Sequence, residues 1–134
     1  MPLITWGSSL ETGVAIIDSQ HKRLVGIIND LDAALAAGNS HEIMGAIFEE
    51  LVAYTETHFG VEEKLMSNHE YEDLEEHRRE HLIFTEQIKM DRDHFEAGSR
   101  KIDSKLMVYL RDWLMNHISL SDQAYVPTLK EGLE

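Results

Sequence analysis

Two pairs of side chains, His58 with Glu62 and His77 with His81, carry the clearest chemistry in the sequence. Residues four apart share a helical face, so each pair aims two donor groups at one spot. Between the pairs lies Ser67-Asn68-His69-Glu70, a polar stretch short enough to fold two helices back antiparallel and bring the pairs face to face. A single His-x-x-x-Glu or His-x-x-x-His is common on solvated helices. Facing pairs on a hairpin point to a metal.

Three further residues extend the set. His21 and His117 occupy positions that the apolar series of their helices would give to Leu or Ile, as do His58, His77 and His81. Each alone reads as a core histidine with a hydrogen-bond partner. Five imidazoles and a carboxylate in one apolar interior carry a heavy desolvation cost, which a bound cation would offset. Asp122 follows His117 by five residues, a spacing that a regular helix does not place on one face. It joins the set only if the chain bends, tightens or loosens between Ile118 and Ser121. On periodicity alone Asp122 reads equally as a surface acid or a cap.

The elements that must position these groups are four amphipathic helices. From a cap at Asp18 or Ser19 the first presents His21, Leu24, Ile28, Leu31 and Leu35 and stops at Gly38-Asn39, spanning about 19–37. The second, 40–66, presents Ile47, Leu51, Tyr54, His58, Glu62 and Leu65. The third, 72–97, presents Leu74, His77, His81, Phe84, Ile88 and Phe95. The fourth, 104–118, presents Leu106, Leu110, Trp113 and His117, and Pro127 is expected to prevent regular continuation. Residues 1–18 read as an extended lead-in anchored by Trp6. The expected fold is all-α: an antiparallel up-down-up-down four-helix bundle forming a single domain over 1–134. In that topology all five histidines fall toward the same end. His41, His69 and His94 read as exposed, and Gly60 as a mark of close packing beside the site.

Composition narrows the chemistry. The 134 residues include no cysteine, so disulfides, thiolate sites and iron–sulfur clusters are excluded and only His, Asp and Glu remain as donors. With 25 acidic against 12 basic residues the net charge is -13, which disfavours nucleic acid and anionic lipid as partners. No apolar run is long enough to span a bilayer, and the start lacks the pattern of a secretory signal, so a cytoplasmic protein is expected. Imidazole with carboxylate suits iron, zinc, copper, nickel or manganese. Seven donors are too many for one ion; with bridging carboxylates and a bridging solvent oxygen they fill all but one position of two six-coordinate ions. Paired irons with one vacancy in an apolar pocket suit dioxygen.

The residues Trp6, Gly13-Val14, Ile17-Asp18-Ser19-Gln20-His21, His58-Phe59-Gly60-Val61-Glu62-Glu63, His77 to His81, Trp113 and His117-Ile118-Ser119-Leu120-Ser121-Asp122 together resemble the hemerythrins, specifically the single-domain bacterial kind, over essentially the full length. The resemblance implies a di-iron centre. His77, His81 and His117 would serve one iron, His21 and His58 the other, and Glu62 and Asp122 would bridge both with an oxo or hydroxo group. It further implies reversible dioxygen binding for storage, delivery or sensing, with the vacancy on the two-histidine iron. The alternatives are a di-iron oxidase or peroxidase, or an iron-storage or sensing module. Phe59, Trp113, Leu114 and Ile118 are the expected dry lining. A monomer is expected, with an oxygen-consuming enzyme as a possible recipient of the gas.

Overall fold

Apolar periodicity builds the helices, and capping groups and left-handed turns end them. The computed structural model describes residues 2–131, with side chains through residue 129. Among these residues α1 is Ala15–Ala36, α2 His41–Asn68, α3 Leu74–Glu96 and α4 Ser104–Asn116; a π-helical segment, His117–Asp122, then leads into α5, Gln123–Glu131. The four long rods form an up-down-up-down bundle with no strand among the described residues.

The first helix starts earlier than a cap at Asp18 or Ser19 predicts. Asp18 instead lies inside the first turn, where its carboxylate accepts the Thr12 N–H at 2.7 Å, the Thr12 hydroxyl at 2.8 Å and the Gly13 N–H at 3.1 Å. It satisfies donors ahead of the helix from within, and the negative charge also favours the N-terminal end of the dipole. The lead-in is accordingly shorter than residues 1–18 and not wholly extended, with a 3-10 turn at Ser8–Leu10. Its anchors are Ile4 and Leu10, both buried, together with the expected Trp6, which is half-buried and packs against the same core. Ile4 is further held by the Asn29 side chain, which accepts the Ile4 N–H at 2.8 Å and donates to the Ile4 carbonyl at 2.9 Å.

Three connections end in the same backbone figure. Gly38 (φ 69°) and Gly98 (φ 79°) take the left-handed conformation after α1 and α3, and the next N–H returns to the helix: Asn39 to the Ala34 carbonyl and Ser99 to the His94 carbonyl. After α2, which runs to Asn68 rather than 66, the left-handed position is Glu70 at φ 52°, with Tyr71 N–H on the Met66 carbonyl at 2.9 Å. A side chain at that φ costs on the order of 1 kcal/mol. Glu70→Gly is therefore expected to raise stability by about that amount, measurable as a higher urea midpoint at unchanged slope.

The inward stripe of α2 is centred on Phe48, Leu51, Thr55, His58, Phe59, Glu62 and Met66, all buried. Ile47, Tyr54 and Leu65, predicted to lead it, are half-buried flanks. This helix packs against both α1 and α3, so its apolar face is wider than a single row and its centre lies one residue off the predicted line.

The fourth rod does not stop at 118. Pro127 sits inside α5 with its ring exposed, contrary to the expectation that it breaks the helix. An internal proline forfeits one backbone hydrogen bond, at a cost of about 3 kcal/mol. Burial of Tyr125, Val126 and Leu129 offsets it. Those three pack with Val14, Ile17 and Met66 in a small apolar cluster, distinct from the main core that includes Ile28, Leu31, Phe48, Leu51, Phe84, Ile88, Leu106, Leu110 and Leu114. In sequence and space the candidate donors fall between the two clusters.

Candidate metal centre

Each of the four rods delivers at least one donor to this gap. His21 is 0% exposed, His58 1%, Glu62 0%, His77 4%, His81 2%, His117 5% and Asp122 0%. In each case the side chain stands where its helix's inward stripe crosses the interval between the apolar clusters. Asp122 is the exception to regular geometry. Five residues of α-helix sweep about 140° beyond a full turn, which would carry Asp122 away from His117. The π-helical turn His117–Asp122 removes that mismatch by widening the ladder to i→i+5. Of the three distortions the spacing allows, the chain uses loosening. His117 Nε2 and Asp122 Oδ1 are then 3.1 Å apart.

All five imidazoles turn Nε2 toward the two carboxylates. Glu62 Oε1 lies 3.0 Å from His58 Nε2 and 3.4 Å from His81 Nε2, and Glu62 Oε2 lies 3.7 Å from His21 Nε2. Asp122 Oδ1 is 3.0 Å from His77 Nε2, and Asp122 Oδ2 is 3.0 Å from His21 Nε2. Two groups of donor atoms result, each gathered within 4.8 Å: Glu62, His77, His81, His117 and Asp122; and His21, His58 and Glu62. Each carboxylate touches histidines of both groups.

His81 Nε2 and His117 Nε2 lie 3.1 Å from each other as a hydrogen-bonding pair, and most of the other donor atoms are left without one. Nε2 of His21, His58 and His77, Glu62 Oε1 and both Asp122 oxygens are buried without a hydrogen-bond partner despite separations near 3 Å. The distances suit hydrogen bonds and the directions do not, as expected for lone pairs aimed at shared points between the side chains. Six buried polar atoms left unpaired in one pocket would each cost on the order of 1–3 kcal/mol. A cation set is the occupant that satisfies nitrogen and oxygen lone pairs together, so the donors fit metal ions of the imidazole–carboxylate class.

The outward ring edges fix the tautomers. His58 Nδ1–H donates to Gln20 Oε1 at 2.6 Å and His81 Nδ1–H to Glu63 Oε2 at 2.9 Å, while His117 Nδ1 lies 3.1 Å from Glu80 Oε2. A proton held on Nδ1 leaves Nε2 bare for a metal. Phe59 stacks on His81 with centroids 3.7 Å apart at 2°, and Trp113 stacks on His117 at 4.5 Å and 14°. Leu114 and Ile118 are buried as well. Tyr125, fully buried, donates its hydroxyl to Glu62 Oε2 at 2.6 Å.

Sequence reasoning missed Gln20, Glu63, Glu80 and Tyr125. Gln20, Glu63 and Glu80 adjoin a named donor in sequence, and Tyr125 stands one turn past Asp122; those neighbourhoods were the available signal. His69 is half-buried rather than exposed, and exposed His41 is nonetheless held, stacked on Phe95 at 4.1 Å with Nε2 2.8 Å from the Phe95 carbonyl. Gly60 does not mark close packing: it is exposed, and a Cβ there would meet no atom within 4 Å. Gly60→Ala is expected to stabilise the fold by about 1 kcal/mol, read as a higher melting temperature.

Without metal the same groups form a charge cluster. Burial pushes His21 toward neutrality, but Asp122 and Glu62 outweigh it and pull the pKa up to about 9. Burial and Glu62 push Asp122 up, but His117 and His21 prevail and hold it at about 2. Glu62, against its own burial, is held well below the ordinary range by His58, His21 and His81. Burial, with the charges of Glu62 and Asp122, drives the Tyr125 hydroxyl upward and keeps it a donor. A raised His21 contributes stability that is complete below pH 6.5 and lost as pH rises through 9, on the order of 3 kcal/mol. A depressed Asp122 contributes stability that is complete above 3.8 and lost as pH falls through 2, on the order of 2 kcal/mol. Melting curves of the metal-free protein are expected to show greatest stability between about pH 4 and 6.5. Because a metal must displace the His21 proton, loading is expected to release protons near neutral pH.

Residues 12–129 match the family model described as the hemerythrin HHE cation binding domain. Bacteriohemerythrin of Pseudomonas aeruginosa is 36% identical over 133 residues, covering 99% of this chain and 86% of that protein. Bacteriohemerythrin of Methylococcus capsulatus is 34% identical over 130 residues, 96% of this chain and 98% of that protein. A wild-type hemerythrin crystal structure superposes with a TM-score of 0.90 at 32% identity, covering 95% of this chain and 98% of that one. The bundle, the gathered donors and these likenesses agree: the chain belongs to the hemerythrin family of non-heme di-iron proteins, which generally bind oxygen and are not enzymes.

Proposed function

We propose that this chain binds dioxygen reversibly at two iron ions, with His77, His81 and His117 on one, His21 and His58 on the other, and Glu62 and Asp122 bridging. The observation that carries the reading is the convergence of five Nε2 atoms on two carboxylates that each touch both histidine groups. Iron, once bound, supplies the electrons and the open coordination position that dioxygen requires.

The chain's own residues do the rest. Gln20, Glu63 and Glu80 hold the imidazoles in one tautomer, and Phe59 and Trp113 hold the ring planes of His81 and His117. Leu114 and Ile118, both buried, would keep water away from the centre. Tyr125 fixes Glu62 from the side of the small apolar cluster. Only two of the seven donors are anionic, against the four glutamates of ferritin-like di-iron sites. Less ligand charge stabilises high-valent iron less, which favours carriage over oxygen cleavage.

On this reading the protein is a monomeric cytoplasmic store or delivery agent that passes oxygen to a consuming enzyme. The net charge of -13 is consistent with a chain that stays apart from its copies. The test is repeated exposure of the anaerobic ferrous protein to oxygen and its removal. A carrier shows a visible band that appears and vanishes over many cycles. Consumption of reductant or release of peroxide in step with oxygen uptake would instead establish an oxidase.

A further inference from the structure

The supports behind the imidazoles are unequal. In the three-histidine group, His81 Nδ1 is backed by the Glu63 carboxylate at 2.9 Å and His117 Nδ1 by the Glu80 carboxylate at 3.1 Å. In the two-histidine group, His58 Nδ1 is backed by the neutral Gln20 amide at 2.6 Å, and His21 Nδ1 is buried with no protein hydrogen-bond partner. Among the described residues, the outer carboxylates that touch these rings therefore fall on one side of the centre.

We infer that Glu63 and Glu80 are positioning residues that make the three-histidine position the more easily oxidised of the two. A carboxylate on Nδ1–H draws the proton outward and makes the ring a stronger donor at Nε2, which favours the higher charge state of a bound ion; an amide does so far less. The step concerned is loss of one electron from ferrous to ferric iron, the electron passing to a one-electron mediator. The inference rests on the di-iron reading above.

Arg78 supplies an independent handle. Its Nε lies 3.3 Å from Glu63 Oε1, and its Nη1 lies 2.7 Å from Glu75 Oε1. Arg78 thus offsets part of the Glu63 charge from the solvent side through ion pairs to carboxylates alone among the described residues. Glu63 and Arg78 pull the His81 ring in opposite senses, and their removal has opposite effects.

The experiment is a spectroelectrochemical titration of the anaerobic, iron-loaded protein, resolving its two one-electron steps in wild type, Glu63→Gln, Gln20→Glu and Arg78→Gln. Glu63→Gln keeps an acceptor oxygen and removes the charge. It is expected to shift the first oxidation equilibrium about tenfold toward ferrous iron, ~59 mV for a one-electron couple. Arg78→Gln is expected to shift that step the other way by a smaller factor, because the guanidinium is partly exposed. Gln20→Glu is expected to lower the second midpoint and narrow the gap between the steps. Iron counts of two per chain and melting curves of the metal-free variants show that each variant folds and loads. Two irons per chain with midpoints unchanged in Glu63→Gln, or moved in the same direction in Glu63→Gln and Arg78→Gln, would overturn the inference. A wild-type count other than two would overturn the di-iron reading, and this inference with it.

Discussion

Glu62→Ala is expected to lose both of the two iron ions per chain, whereas His58→Ala and His117→Ala each lose one of them. The distinction follows from which atoms share a contact. Of the two central carboxylates His58 approaches Glu62 alone, through Oε1, and His117 belongs to the opposite group. Glu62 alone spans His21, His58 and His81 with its two oxygens. Truncating it removes a donor from both positions and also leaves the Tyr125 hydroxyl, 2.6 Å from Glu62 Oε2, buried without an acceptor. Losing an acceptor from a buried donor costs about 1–3 kcal/mol beyond the lost donor itself. Iron per chain after anaerobic loading and desalting, measured by emission spectrometry with folding checked by circular dichroism, separates the three variants. Equal losses in all three would show that Glu62 has no bridging role.

Loading with iron at about a thousand times its dissociation constant is expected to raise the melting temperature by roughly 10–15 °C. Binding only to the folded state adds about 4 kcal/mol at that excess, and a domain of this size gains roughly 3–4 °C per kcal/mol. The structural reason is the gap between the two apolar clusters, where Nε2 of His21, His58 and His77, Glu62 Oε1 and both Asp122 oxygens are buried without a hydrogen-bond partner, a lack that a bound cation would make good. Differential scanning calorimetry of metal-free and ferrous-loaded protein under nitrogen reads the shift. Asp122→Ala is expected to lose most of it, because Asp122 meets His21 through one oxygen and His77 and His117 through the other.

How far the sequence reached is explained by what periodicity can and cannot encode. Leu24, Ile28 and Leu31 in α1, and Phe84, Ile88 and Phe95 in α3, repeat at the helical interval and are buried. A histidine that continues such a row points the same way as its neighbours, so the directions of His21, His58, His77, His81 and His117 were legible. Asp122 was not, because a row of α-helical steps says nothing about where a π turn will widen it. The same limit hid α5. Pro127 normally ends a helix, and only the burial of Tyr125 and Leu129 against the end of α2 and the start of α1 makes that helix worth its missing bond. Gln20 and Glu63 stand in stretches that carry the family resemblance, but neither they nor Glu80 show a role of their own in the sequence. Each acquires a role from a ring on another helix, across 38, 18 and 37 positions of sequence, and no local pattern records such a pairing.

The central claim is that seven side chains at one end of this bundle hold two iron ions. Diffraction at the iron absorption edge from crystals of the ferrous-loaded protein tests it most directly. Two anomalous peaks per chain are predicted, one beside His77, His81 and His117 and the other beside His21 and His58, with Glu62 and Asp122 reaching both. A single peak, or peaks away from these residues, would contradict it.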